Sequence, residues 1–236
     1  MPDPSFLFDG PEGAPVALAL AHGAGAPMDS PFMAHLARGL GARGLRVARF
    51  EFPYMAAARA HGKRRPPDRA PVLLESWRSA IAALAEPRDE SRDKRADNPA
   101  DKRAGRPALA IGGKSLGGRM ASLIADEEGV RALVCLGYPF HPPGKPDKLR
   151  NEHLENLETP CLILQGERDP FGTRDEVAGY RLSPAIRIAW CPDGDHSFKP
   201  RKASGRSQED NWDLAVEVMY EFLAGRSADK PAEKTP

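Results

Sequence analysis

The chain has 236 residues, of which 41% are hydrophobic, so it is long and apolar enough to bury the core of one domain. Its 34 basic residues balance 33 acidic ones, which excludes a polybasic protein that binds nucleic acid or a membrane surface. Its three cysteines are an odd number, which argues against a disulfide framework and is typical of a reducing compartment.

The N-terminal segment lacks the pattern of a signal peptide. Residues 1–10 contain no basic region, and their apolar run is only Phe6, Leu7 and Phe8. No stretch of the sequence approaches the roughly 18 apolar residues that a membrane-spanning helix needs. We therefore expect a cytoplasmic protein that does not contact a membrane.

Six short apolar segments are predicted to be strands that are buried on both faces. They lie at 15–21, 46–52, 108–111, 132–136, 161–164 and 187–190. The connections are long, so the strands are expected to pair in parallel, with helices near 31–42, 71–85, 116–127, 174–182 and 209–224. This order predicts an α/β fold with a mainly parallel sheet of about six to seven strands and helices on both faces.

One domain is predicted over residues 1–226. Residues 86–107 are rich in charge and contain three prolines, which favours a charged surface insertion between a helix and a strand. The polar segment 227–236 is expected to be a disordered tail. The segment between the fourth and fifth predicted strands is short and rich in proline, so we expect no large cap over the sheet.

A serine flanked by glycines follows the strand at 108–111. The pattern Gly113-x-Ser115-x-Gly117, with a strand before it and a helix after it, is typical of a nucleophile elbow. In that turn the serine backbone is strained, and small residues two positions away prevent collisions with neighbouring backbone. The elbow exposes the hydroxyl and places the next backbone N–H at a helix N-terminus, where it can donate to an oxyanion.

Gly113, Lys114 and Ser115 also match the end of a phosphate-binding loop, G-x-x-x-x-G-K-[ST]. That loop requires a glycine five positions before Gly113, where this sequence has Ala108. The residues between these positions are strand formers and would not cradle a phosphate. The nucleophile elbow is therefore the favoured interpretation.

A serine nucleophile requires a base and an acid that orients the base. Glu167 and Asp169 follow the strand at 161–164, and His196 follows the strand at 187–190, so all are expected at the carboxyl edge of the sheet. His196 is the only histidine after Asp169, so it is the predicted base. Asp169 is preferred to Glu167 as the acid because it lies deeper in the turn.

A loop of small residues follows the first strand, from His22 to Ala26, and lets backbone approach a substrate closely. The backbone N–H of Ala24 is predicted to form an oxyanion hole together with that of Leu116. His22 is expected to have a structural role, bonding the loop in place.

The other candidate residues around the site are weaker. Tyr138, Phe140 and Phe171 are candidates for an apolar wall of the substrate pocket, with plain packing as an equal alternative. Lys114 and Arg119 are expected to be solvated charges, and attraction of an anionic substrate is the alternative. No spacing of histidine, cysteine or carboxylate residues suits a metal ion, so we expect neither a metal nor a cofactor.

Four motifs of the chain resemble those of the α/β-hydrolase superfamily. They are HGAG at 22–25, GKSLGGRM at 113–120, GYPFHPPG at 137–144 and QGERDPFG at 165–172. The last three are similar to a narrower group, the dienelactone-hydrolase-related, testis-expressed-protein-30-like hydrolases. The resemblance covers most of the chain and implies an α/β-hydrolase fold with a triad of Ser115, Asp169 and His196. Dienelactone hydrolases have cysteine at the elbow, so Ser115 departs from them and their substrate is not expected here.

We therefore expect a carboxylesterase-like serine hydrolase that cleaves an ester or related acyl bond of a small molecule through an acyl-enzyme. The alternative is a non-catalytic interaction module, since some members of the narrower group are subunits of larger assemblies. A scaffold has no need of serine, acid and histidine in this order, which favours the enzyme. The sequence predicts neither the acyl chain nor the oligomeric state.

Overall fold

The computed structural model describes residues 4–85 and 108–225. The strands are β1 (Phe6–Asp9), β2 (Val16–Ala21), β3 (Arg46–Phe50), β4 (Ala108–Lys114), β5 (Ala132–Leu136), β6 (Cys161–Gly166) and β7 (Ile186–Cys191). The helices are α1 (Pro31–Gly41), α2 (Pro53–His61), α3 (Ala70–Ala85), α4 (Leu116–Ser122), α5 (Arg174–Val177) and α6 (Gln208–Leu223). Short 3₁₀ helices lie at Glu152–Glu155 and Lys202–Ser204.

The strands form one sheet in the order β1-β3-β2-β4-β5-β6-β7. Every neighbouring pair is parallel except β1 and β3, so the expected mainly parallel sheet is confirmed. Strands β2, β5 and β6 are buried along their whole length, because helices cover both of their faces.

The sheet separates two hydrophobic clusters. On one face, Trp77 of α3 packs edge to face on Phe50 with ring centroids 4.7 Å apart, and Met120 of α4 joins this cluster. On the other face, Leu36 of α1 and Met219 of α6 are fully buried. Helices therefore cover both faces of the sheet, as predicted.

Several local elements differ from the sequence-based expectation. The helix predicted at 116–127 ends at Ser122 and is followed by turns, and the helix predicted at 174–182 has only four residues. The antiparallel edge strand β1 and the helix α2 are absent from the prediction. Helix α2 begins at Pro53, a favoured first helical residue, and ends before Gly62, whose backbone is left-handed.

Among the described residues, no large helical cap covers the carboxyl edge of the sheet. Between β5 and β6, where every residue is described, only one short 3₁₀ helix occurs, so the expectation of no large cap is confirmed. Within 4–85 and 108–225 no helix has the length and apolar composition needed to cross a membrane. The insertion predicted at 86–107 and the tail predicted at 227–236 lie outside the described residues, and the single domain over 1–226 stays a prediction.

Candidate active site

Ser115 lies at the turn between β4 and α4, at the carboxyl edge of the sheet. Its φ of 50° and ψ of −111° are unusual for a residue other than glycine and cost about 1–3 kcal/mol of strain. The surrounding backbone holds this turn. The Ser115 N–H donates to the Leu136 carbonyl at 2.9 Å, and the Ser115 carbonyl accepts from the Arg119 N–H at 2.9 Å. The serine therefore occupies a strained strand-to-helix turn, the backbone geometry of an elbow.

The two glycines of the motif let α4 approach β2 closely. A Cβ on Gly113 would lie 2.6 Å from the Ala21 carbonyl oxygen, and a Cβ on Gly117 would lie 2.6 Å from the His22 carbonyl oxygen. Both distances are shorter than the contact distance of carbon and oxygen atoms, so a side chain at Gly113 would push β4 away from β2, and one at Gly117 would push α4 away from the loop after β2. Glycine at these two positions thus fixes where the turn is placed.

His196 and Asp169 form a hydrogen-bonded pair beyond the ends of β7 and β6. The His196 Nδ1 lies 2.8 Å from the Asp169 Oδ2. Asp169 is fully buried, and its carboxylate also accepts from the Phe171 backbone N–H at 2.9 Å and from the Gln165 side-chain amide at 3.1 Å. Because a carboxylate only accepts, Nδ1 carries the proton, and the His196 Nε2 is left as a proton acceptor.

The second carboxylate of the turn after β6 has a different environment. Glu167 accepts from the Asp193 backbone N–H at 2.9 Å and pairs with Arg174 at 2.7 Å. It therefore ties this turn to the histidine loop and to α5, and in the described ranges it makes no hydrogen bond to the His196 ring. Asp195 holds the histidine loop by accepting from the Ser197 backbone N–H at 2.7 Å.

Ser115 and His196 line one cavity of about 710 Å³. The ring of Phe171 packs on the His196 ring with centroids 4.3 Å apart, and Phe32 and Trp212 contribute two further aromatic walls. Among the described residues no hydrogen bond joins the Ser115 hydroxyl to the His196 ring, although both border the same cavity.

The loop after β2 is held in place by His22. The His22 Nδ1–H donates to the Gly23 carbonyl at 2.6 Å, and the His22 Nε2 accepts from the Phe52 N–H at 3.1 Å. The Tyr54 hydroxyl donates to the same Gly23 carbonyl at 3.2 Å. Burial lowers the pKa of His22, which keeps the ring neutral in this structural role.

Two backbone N–H groups border the site without a partner. Ala24 is exposed and lines the cavity, and Leu116 is the first residue of α4, where an N–H has no partner within the helix. In the part of the chain that the structure describes, neither N–H donates a hydrogen bond. Both are therefore available to an oxyanion.

The sequence matches the family described as an alpha/beta hydrolase domain over residues 14–224, which is most of the chain. The chain belongs to the α/β-hydrolase family. This membership bears out the resemblance stated from the sequence motifs and supports a hydrolase. The architecture of this α/β hydrolase also recurs among solved structures.

An α/β serine hydrolase homologue from Coxiella burnetii has a TM-score of 0.65 at 16% identity, over 92% of this chain and 90% of that chain. An α/β serine hydrolase without lid from Xanthomonas campestris has a TM-score of 0.65 at 17% identity, over 98% of both chains. A dienelactone hydrolase from Anabaena variabilis has a TM-score of 0.63 at 22% identity, over 94% of this chain and 99% of that chain. These likenesses confirm the expected α/β-hydrolase fold.

Two of the three residues predicted to form the pocket wall of this hydrolase lie elsewhere. Tyr138 and Phe140 are fully buried with their rings 4.8 Å apart, and neither lines the cavity. The chain turns inward after β5 because the Tyr138 N–H donates to the Gln165 side chain at 2.7 Å and the Tyr138 hydroxyl donates to the Arg150 carbonyl at 3.0 Å. For these two residues the structure therefore favours the packing role that the sequence left as an equal alternative, whereas Phe171 does line the cavity.

Three residues of this hydrolase's site are missing from the sequence-based prediction. Phe32 and Trp212 form cavity walls with their rings 5.6 Å apart. Gln165 is fully buried at the end of β6, where its amide group holds both Tyr138 and Asp169. The sequence signal that could have identified Gln165 is its polar side chain at the end of an apolar strand.

A second serine–histidine pair lies away from the cavity of the hydrolase. The Ser122 Oγ is 2.8 Å from the His153 Nε2 and donates its proton to the Arg119 carbonyl at 2.8 Å. A hydroxyl has one proton, so the His153 ring is the donor in this pair and does not act as a base toward Ser122. Among the described residues no carboxylate bonds to His153, and Ser122 is only 3% exposed.

Lys114 is the largest departure from expectation in the site. It is predicted to be a solvated charge, yet its Nζ is buried and has no hydrogen-bond partner among the residues described. Burial lowers the pKa of Lys114 to about 8.

Metal-binding side chains do not cluster in the described ranges of this hydrolase, where no group of three or more histidine, cysteine or acidic residues could hold an ion. Cys135, Cys161 and Cys191 are free and buried. Burial raises the pKa of Cys191 to about 12, so this thiol beside the histidine loop stays protonated.

Proposed function

We propose that this chain is a serine hydrolase that cleaves an ester or a related acyl bond. The observation that carries the proposal is the placement of Ser115 in a strained strand-to-helix turn, in the cavity that His196 also borders. The His196 ring is oriented by a fully buried carboxylate, Asp169, at 2.8 Å. These are the nucleophile, base and orienting acid that acyl transfer requires.

In the proposed reaction, the Ser115 Oγ attacks the carbonyl carbon while the His196 Nε2 takes the hydroxyl proton. The negative charge that forms on the carbonyl oxygen accepts hydrogen bonds from the backbone N–H groups of Ala24 and Leu116. His196 then gives the proton to the leaving alcohol, and an acyl-enzyme remains on Ser115. A water molecule, deprotonated by His196, attacks that ester, and the carboxylic acid leaves as Ser115 regains its proton.

The hydrogen bond between Ser115 and His196 is proposed to form when a substrate fills the cavity. Catalytic hydrogen bonds are often long in unliganded enzymes and tighten in the complex with substrate. Phe171 packs on the His196 ring at 4.3 Å, so a substrate that displaces this contact would also move the ring.

The substrate is proposed to be a small molecule with an apolar acyl group. Phe32, Phe171 and Trp212 give the cavity three aromatic walls, and its volume of about 710 Å³ exceeds what a short acyl chain needs. The open carboxyl edge admits a substrate without movement of a cap. We further propose that the enzyme acts in the cytoplasm, without a cofactor and without binding nucleic acid or a membrane.

A fluorophosphonate probe tests the proposal, because it modifies only an activated serine. We expect the probe to label the wild-type protein and the Ser122→Ala variant but not the Ser115→Ala variant. The same pattern is expected for hydrolysis of p-nitrophenyl butyrate. A folded wild-type protein that is neither labelled nor active would reject the proposal and favour the non-catalytic interaction module.

A further inference from the structure

Lys114 carries a buried charge that the proposed reaction does not use. Its Nζ is fully enclosed and unpartnered within the described residues. The side chains that face it are the carboxylates of Asp169 and Asp195, which favour its charged form, and the thiol of Cys191. The rings of Phe32 and Phe198 close the other side, with centroids 6.0 and 5.9 Å from the Nζ. An ammonium group in such surroundings is costly unless nearby negative charge offsets it.

Gly137, just after β5, shows how near this charge is to the His196 ring. A Cβ built on Gly137 would lie 2.7 Å from the Lys114 Nζ and 3.3 Å from the His196 Nδ1. The two nitrogen atoms are therefore no more than about 6.0 Å apart. The same Nδ1 is 2.8 Å from the Asp169 Oδ2, so the ammonium lies beside the whole Asp169–His196 pair.

The negative charge of Asp169 acts on the same histidine ring that Asp169 orients. A buried carboxylate in contact with an imidazole stabilises the protonated ring, and a protonated ring cannot accept the Ser115 proton. A positive charge within about 6 Å disfavours the protonated ring and compensates the buried carboxylate. The structure places the Lys114 ammonium at that distance from the His196 ring.

Direct contact with substrate is a poor alternative for Lys114. The Nζ has no exposed surface, although the rest of the residue borders the cavity, so a ligand would reach the ammonium only after its surroundings rearranged. Its effect on the site is therefore exerted through space.

We propose that Lys114 is a positioning residue whose buried charge, beside the Asp169–His196 pair, keeps His196 neutral and so able to accept a proton. The inference rests on the proposed function, in which His196 is the base. Because burial lowers the pKa of Lys114 only to about 8, the side chain stays charged over the pH range in which histidines titrate.

An NMR titration of the His196 ring tests this without requiring activity. We compare the wild type with Lys114→Met, Lys114→Gln, the charge-retaining Lys114→Arg, and a matched control, Lys145→Met, whose side chain is exposed. The titration midpoint is expected to rise by about one pH unit in both neutral variants, and to stay near the wild-type value in the other two. Two neutral variants are used so that misfolding of one does not remove the test.

An unchanged midpoint in a folded neutral variant would overturn the inference. An equal rise in Lys114→Arg would also overturn it, because side-chain packing would then be the cause. The pH profile of kcat/KM on a neutral ester is the second readout, and its acidic limb is expected to shift by the same amount with little change in KM. If the wild type hydrolyses no ester, the proposed function fails while the NMR result still decides the electrostatic inference.

Discussion

Two serine–histidine pairs lie close to α4, and they differ in what surrounds them. Ser122 and His153 are in direct contact at 2.8 Å, yet the hydroxyl is nearly buried and its proton is bound to a backbone carbonyl. Ser115 and His196 share no hydrogen bond in the described chain, but they border one cavity. Contact between a serine and a histidine is therefore a poor guide to chemistry in this molecule.

The electrostatic surroundings of the two histidines explain the difference. Burial, together with the charge of Arg119, lowers the pKa of His153 to about 4, and its ring has no carboxylate partner among the described residues. The His196 ring instead binds the buried Asp169 through Nδ1, which leaves Nε2 as the proton acceptor that the proposed reaction requires. The placement of an acid behind the ring distinguishes a base from a structural histidine.

Removal of each histidine gives the largest contrast between the pairs. His196→Gln is expected to lower kcat/KM for p-nitrophenyl butyrate by about 10⁴-fold or more, because both proton transfers are lost. His153→Gln is expected to change it by less than about threefold, since its ring lies outside the cavity. Steady-state kinetics on both variants check this, and similar losses in both would show that the two pairs are not functionally distinct.

The next contrast is between the two carboxylates in the turn after β6, Asp169 and Glu167. Asp169→Asn is expected to lower kcat by about 10³-fold, because an amide that donates to Nδ1 places the ring proton on Nε2, which then cannot accept the serine proton. Glu167→Gln is the matched control from the same turn and is expected to retain most activity, since Glu167 contacts Asp193 and Arg174. A larger loss in the Glu167 variant would assign the acid to that residue instead.

The strained turn at Ser115 is a third difference, because the flanking glycines Gly113 and Gly117 allow β2, β4 and α4 to approach one another closely. Gly113→Ala places a Cβ 2.6 Å from the Ala21 carbonyl oxygen and is expected to lower the free energy of unfolding by about 3 kcal/mol. Gly13→Ala is the control, since a Cβ there meets no atom within 4 Å. Urea unfolding measures both changes, and equal stability of the two variants would contradict the role of the glycine.

Sequence patterns predict Ser115 from a glycine-flanked turn and His196 from the order of the candidate residues along the chain. Backbone geometry and the Asp169 hydrogen bond are consistent with those positions. The directions of Tyr138 and Phe140 could not be predicted, since Gln165, 27 residues after Tyr138, pulls that segment inward. The burial of Lys114 is likewise set by long-range packing.

The last contrast is the effect of His153, in the buried Ser122–His153 pair, on how the stability of the protein depends on pH. Because the pKa of His153 in the folded protein is about 4, below the roughly 6.5 of an unfolded chain, its neutral ring contributes stability above pH 6.5 that is lost as the pH falls toward 4. Allowing for partial solvent screening, wild type is expected to lose about 1 kcal/mol more than His153→Gln between pH 7 and pH 5. Urea unfolding of both proteins at the two pH values measures this, and an equal loss would mean that the folded protein accepts a proton at His153 without strain.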